Sequence, residues 1–323
     1  MSTKLPSHNV PLTLIADVLC YINSNSSYSI EDLQHYTNKS QAYIRSCLAV
    51  CKLLNIINVD GNLCSYVNIL GRTPNDELKV NVMRNFIQEY EPFITFIQYH
   101  LNGTALEESA RKVYVSYKLE GKNYNFLKDL FMSWGITTGI FSSTLNGFTL
   151  EETIRTQLSA INTLNINLSE DMAIRLYISD ILSADIFSTL TSAEVEELVD
   201  AYKKSSTDAR GAIECAGRAF EDFLRRISPT EVDVSGKNGI GQIINALYNN
   251  RNALGVNDNK IHNKQQSIGA AIGDIRNMAG HSMEARTMER WNLTTTSARM
   301  YIELVLSTIR SFYCYTQSFN YTF

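Results

Sequence analysis

The chain has 323 residues, 44% hydrophobic and 19% charged, with a net charge of −4; it is long enough for two or three domains and has an ordinary globular composition. Five prolines and 16 glycines are few for a turn-rich all-β chain, and the acidic total excludes a chain-wide basic field for nucleic acid. No stretch approaches the roughly 18 uncharged apolar residues of a membrane span, and Met1–Pro6 has neither an apolar core nor a small-residue cleavage site, so a cytoplasmic protein with no membrane partner is expected.

In chain order, Leu12, Ile15, Ala16 and Leu19 recur at helical spacing. Ser29 with Asp32 three residues on predicts an N-cap for a short helix over Ile30–His35. After a turn at Thr37–Lys39, a third helix is predicted from about Ser40 to Leu54, with Ile44, Cys47, Leu48, Cys51 and Leu54 inward. Asp60-Gly61 between the β-prone runs 56–59 and 63–67 predicts a hairpin. Three helices and a hairpin are the winged-helix order, so residues 1–75 are expected to form a winged-helix-like domain. The third helix of such modules often enters the DNA major groove; Lys39, Gln41, Arg45 and Lys52 are the candidate contacts. Basic and acidic residues balance over 9–72, which disfavours counterion release from a duplex and leaves a regulatory protein or nucleic acid as partner here.

Residues 76–205 are expected to form a helical middle region. Met83, Phe86-Ile87, Tyr90, Phe93-Ile94 and Ile97 form a helical stripe; Thr104 is predicted to cap a helix at 105–118; Phe126–Trp134 forms a short helix; Thr149 with Glu152 signals another cap. Further helices are predicted from Leu168 through Ile181 and over Thr191–Lys203. The dense aromatics of 114–141 read as core. The six cysteines read as free thiols, those at Cys47 and Cys51 as small core residues, because the spacing lacks a zinc-knuckle pair.

Residues 206–323 are expected to form a helical bundle. A long helix runs from Asp208 to Ile227 with Ala212-Ile213, Ala216, Phe220 and Phe223-Leu224 inward; Glu214, Arg218, Asp222 and Arg226 recur outside it at four-residue steps, as solvated ion pairs. Helices follow over Gly241–Asn249, over Gln266–Met278 with Ile268, Ala271-Ile272, Ile275 and Ala279 inward, and over Thr294–Thr316. From Asp208 onward the net charge is +2, against −6 before it. The run Ser235–Gly241 precedes a helix and could present amides to a phosphate, but lacks Walker spacing and reads as a plain loop. His8, His35, His100 and His262 read as surface or packing residues.

The third of these helices carries the densest chemistry: Arg276-Asn277-Met278-Ala279-Gly280-His281. An imidazole moves protons near neutrality, a guanidinium grips phosphate oxygens in a planar fork, and a carboxamide can orient either. Asn277 and His281, four apart, would share a helix face, with Arg276 about 100° round the axis. That set is compatible with cleaving a phosphodiester without metal.

Three blocks, Ala212–Glu221, Ile275–His281 and the helix containing Thr296–Arg299, resemble the abortive-infection C-terminal domain family of the HEPN superfamily over residues 208–312. The family often has Gly after the His and a longer gap before it; here Ser282 follows and the gap is four. The resemblance implies a mainly α chain ending in a HEPN-like four-helix bundle. It also implies a metal-independent endoribonuclease needing no cofactor, acting as a homodimer through that bundle, in phage defence or as a toxin. It assigns catalysis to Arg276, Asn277 and His281, on an RNA substrate cut to 2′,3′-cyclic phosphate ends. Glu214, Glu221 and Asp222 are candidate supporting acids, which supply acid function or hold Arg276. Two other readings stay open: a non-catalytic RNA- or protein-binding module, and a winged-helix DNA-binding regulator.

Overall fold

The structure, a computed structural model, describes residues 3–25, 27–58, 61–160, 170–280 and 291–323. The chain divides into two compact units, Met1–Thr156 and Gln157–Phe323. The boundaries expected at 75 and 205 therefore fall inside units rather than between them.

The first unit begins with α1 (Leu12–Ser24), α2 (Ile30–Thr37) and α3 (Gln41–Leu53). Ser29 and Asp32 form the expected reciprocal cap, each side chain accepting the other's backbone N–H at 3.1 and 2.8 Å. Ile15, Leu19, Leu33, Ile44, Cys47 and Cys51 are fully or almost fully buried between the three helices. Burial pushes the Cys47 thiol up to about 12, so these sulfurs act as apolar groups. Of the hairpin expected after α3, the described residues show an antiparallel bridge between Ile57 and Leu63, Asp60 of its turn lying outside the described residues, and Ser65–Leu70 is a 3-10 helix. The reason is burial: Val67 and Leu70, three apart, both enter the core, which strand alternation does not allow.

Next come α4 (Asp76–Gln88), α5 (Glu91–Leu101), α6 (Leu106–Ser116), α7 (Tyr124–Thr137), the antiparallel strands β1 (Phe141–Thr144) and β2 (Gly147–Leu150), and α8 (Glu152–Ala160). Two expected caps are corrected. Ala105 rather than Thr104 stands at the start of α6, without a side-chain cap. Thr149 is a strand residue opposite Ser142, and Glu151 accepts the Ile154 N–H at 3.3 Å instead. The aromatic run is core in its second half: Phe131, Trp134 and Phe141 are 0–2% exposed, and Phe141 stacks on Phe148 at 4.1 Å, whereas Tyr114, Tyr117, Tyr124 and Phe126 are half-buried.

The second unit holds α9 (Asp171–Leu182), α10 (Ala184–Phe187), α11 (Ser192–Lys204), α12 (Ala209–Ile227), α13 (Ile240–Tyr248), α14 (Asn263–Gly280) and α15 (Thr295–Ser318). Thr191 and Glu194 cap α11 reciprocally. Helices α12 to α15 pack on one another as a bundle, and α11 covers another side of α12. The ion pairs expected along α12 are not solvated i,i+4 pairs. Arg218 reaches Glu197 at 2.8 Å and Arg226 reaches Glu194 at 2.8 Å, both across to α11, and Glu194 is buried.

The expected inner face of α14 also shifts. Gln265, Gly269, Ile272, Gly273 and Ala279 are buried, Ile268 and Ile275 are half-buried, and Ala271 is exposed. Gly269 is the cause: a Cβ there would lie 2.5 Å from the Ile244 side chain, so α13 approaches α14 along its glycines. No described helix is long and apolar enough to cross a membrane.

Candidate functional site

One face of α12 organises the site through Arg210, Glu214, Gly217 and Glu221, spaced i, i+4, i+7 and i+11. Helical periodicity lines these up towards α14. At one end, Arg210 donates from Nη1 to the carbonyls of Met278 and Ala279 at 2.7 and 3.0 Å, and from Nη2 to that of Trp291 at 2.6 Å. Arg210 thus pins the last described turn of α14 through its backbone carbonyls. Glu214 comes next, its Oε1 3.8 Å from where a Cβ on Gly280 would stand.

Gly217 makes room for Arg276. A Cβ at Gly217 would sit 2.7 Å from the Arg276 Cγ and 2.9 Å from its Cδ. The guanidinium beyond that stem donates from Nη1 to Glu221 Oε2 at 2.8 Å. Glu221 Oε1 accepts from Arg225 Nη2 at 2.6 Å, and Arg225 also donates to the carbonyls of Val234 and Lys237. One carboxylate thus ties α12, α14 and the loop before α13 together. From α15, the buried Tyr301 hydroxyl donates to the Ile272 carbonyl at 3.1 Å; burial drives its phenol well above the usual range.

Arg276 and Asn277 border a cleft of about 270 Å³ between the start of α13 and the Gly273–Asn277 turn of α14. The Ser235–Gly241 run, which reads in sequence as a plain loop, ends at this cleft through Asn238, Gly239 and Gly241. Asn277 is exposed. His281 lies outside the described residues, so its expected shared face with Asn277 does too; α14 ends at Gly280, the residue before it.

Of the three candidate acids, Glu221 meets Arg276, Glu214 stands near Gly280, and Asp222 points elsewhere. Partial burial first, then Glu194 and Glu221, raise the Asp222 carboxyl. Lys39, Gln41, Arg45 and Lys52 are all exposed in the first unit, the last three on one face of α3. Among the described residues no cluster of three His, Cys, Asp or Glu is arranged to hold a metal ion.

Sequence reasoning overlooked Arg210, Gly217, Gln242, Asn245 and Asp274. The i, i+4, i+7, i+11 row on α12 was the available signal for the first two. No protein-family model, curated protein or solved structure matches the chain.

Proposed function

We propose that this chain is a metal-independent endoribonuclease of the HEPN type, which cuts cellular RNA in phage defence or as a toxin. The observation that carries the reading is Arg276. Its guanidinium is held by Glu221 at the rim of a polar cleft, beside Asn277, on the last turns of the helix that leads to His281. In this reading the RNA 2′-OH attacks the adjacent phosphorus, and His281 moves the proton. Arg276 stabilises charge on the phosphorane as a preorganised donor, Asn277 orients His281 or the phosphate, and the products carry 2′,3′-cyclic phosphate and 5′-OH ends. Glu221 acts through Arg276 as a positioning residue, and Glu214 is the remaining candidate acid near the end of α14.

A homodimer completes the site in this reading. Support comes from α14, where Ile268, Ala271, Ile275 and Met278, at i, i+3, i+7 and i+10, stay half-buried or exposed and form an outward apolar stripe suited to a second copy. The first 75 residues take the winged-helix-like regulatory role, with the exposed Lys39, Gln41, Arg45 and Lys52 as the contact face for a protein or nucleic acid.

The test incubates the whole protein with transfer RNA and total RNA in excess EDTA, beside His281→Ala and Arg276→Ala. Cleavage by the unsubstituted protein alone, leaving cyclic-phosphate ends, is expected. Equal cleavage by all three removes the motif from the mechanism. RNA retained but uncut by the unsubstituted protein moves the reading to a binding module.

A further inference from the structure

The cleft beside Arg276 is polar on nearly every side. Gln242 and Asn245 enter from α13, three residues apart and so on one helix face; Asp274, Arg276 and Asn277 enter from α14. On α14, Gly273 and Asn277 lie nearly in line, and Arg276 and Asp274 project about 80° to either side of that line, from the roughly 100° step per residue. Arg276 occupies one margin and Asp274 the other.

The two carboxamides of α13 have their oxygens engaged. Gln242 Oε1 accepts the Asn238 N–H at 3.0 Å, and Asn245 Oδ1 accepts from Gln266 Nε2 at 3.3 Å. Each carboxamide lines the cleft and carries an NH₂ donor beside its engaged oxygen, while the exposed Asp274 carboxylate offers only acceptors. The α13 side of the space thus supplies donors, and the Asp274 margin of α14 an acceptor. At about 270 Å³ it falls just below the roughly 300–1,000 Å³ of sites for drug-sized ligands, which suits one nucleoside.

Resting on the ribonuclease reading, the geometry points to a guanine-reading subsite for unpaired RNA between α13 and α14. Guanine carries two acceptors, N7 and O6, on one edge, and its N1–H and N2 amine on the next. The NH₂ groups of Gln242 and Asn245 meet the acceptor edge, and Asp274 takes the donor edge. Adenine lacks the O6 acceptor, and uracil lacks the amine that the carboxylate needs. Cytosine has its amine on an edge without the N7–O6 pair. Arg276, at the opposite margin and anchored to Glu221, stays available to the neighbouring phosphate.

The experiment measures binding, so it does not depend on cleavage. Fluorescence anisotropy in EDTA follows the whole protein with labelled octamers of 2′-O-methyl nucleotides, which lack the attacking hydroxyl: seven uridines with one central G, A, C or U. The G octamer is expected to bind at least about fivefold more tightly than the other three, since a well-made bidentate base contact discriminates by about 1–3 kcal/mol. Asp274→Asn is expected to reduce that preference below threefold, whatever it does to the affinity all four octamers share, and Gln242→Ala to weaken G binding more than U binding. Equal affinity for the four octamers, or a G preference that survives both substitutions, overturns the assignment. RNA cleavage without G preference would sink this inference and leave the nuclease reading standing. G preference without cleavage would do the reverse.

Discussion

Arg210→Ala isolates the contact that fixes the chain immediately before His281. Among the described residues the side chain makes three hydrogen bonds to backbone carbonyls, at 2.7, 3.0 and 2.6 Å. Charged hydrogen bonds contribute about 1.5–3 kcal/mol each. Arg210 is half-exposed, however, and water replaces part of what is lost, so the three together amount to about 2 kcal/mol at the end of α14. Local opening sets the exchange of helix amides, and tenfold corresponds to about 1.4 kcal/mol; the amides of 277–280 should therefore exchange about 30-fold faster. Hydrogen–deuterium exchange with peptide-level mass spectrometry reads this directly, with α11 peptides as the control. Arg210→Lys keeps the charge but not the fork and should fall between the two. Acceleration below threefold in Arg210→Ala would refute the view that this arginine pins the last described turn of α14.

Glu221→Ala leaves two guanidinium groups without their shared carboxylate. Both are partly exposed, so the expected loss is about 1–2 kcal/mol in urea unfolding of the second unit. Adding Arg276→Ala should then cost less than it does alone, and strict additivity would show that the pair is not coupled. Gly269→Val drives a side chain into Ile244, with an expected loss of about 1–3 kcal/mol from overpacking; an unchanged midpoint would mean that α13 can retreat freely. Glu303 is partly buried and accepts from the Tyr177 and Tyr202 hydroxyls at 3.0 and 2.8 Å. Burial raises its carboxyl despite those two bonds. The folded state therefore holds the proton more tightly than the unfolded chain. Its contribution is full below the unfolded value and falls as pH rises through the folded one. Glu303→Gln should thus gain stability relative to the unsubstituted protein as pH rises above about 4.5, the ordinary carboxylate value, and a gap that does not widen with pH there would contradict this.

The helices of the bundle were legible because Phe220, Phe223 and Leu224 repeat with the helical period, and the cap at Ser29 because it carries its acidic partner three residues on. The face of α14 was not, since its closest contacts are glycines, which carry no hydropathy signal. Arg210 stayed hidden for a related reason: its partners are backbone carbonyls, which no residue type marks. Glu221 was among three candidate acids, but only the phase of α12 against α14 separates it from Asp222. Past Cys64 the strand reading gives way to a helical turn, because Val67 and Leu70 are three apart and both buried, a spacing that strand alternation does not produce.

The tether between Glu221 and Arg276 has a consequence for selectivity between charge states. A loose arginine gives up about 2 kcal/mol of rotamer freedom when it grips an anion; here most of that ordering accompanies folding. The same carboxylate cancels much of the guanidinium's field, so a singly charged diester gains little by approaching. A species that gathers a second negative charge gains more. In the ribonuclease reading, a half-neutralised, tethered cation is thus a poor trap for the ground state and a better match for a dianion that exists only during bond exchange.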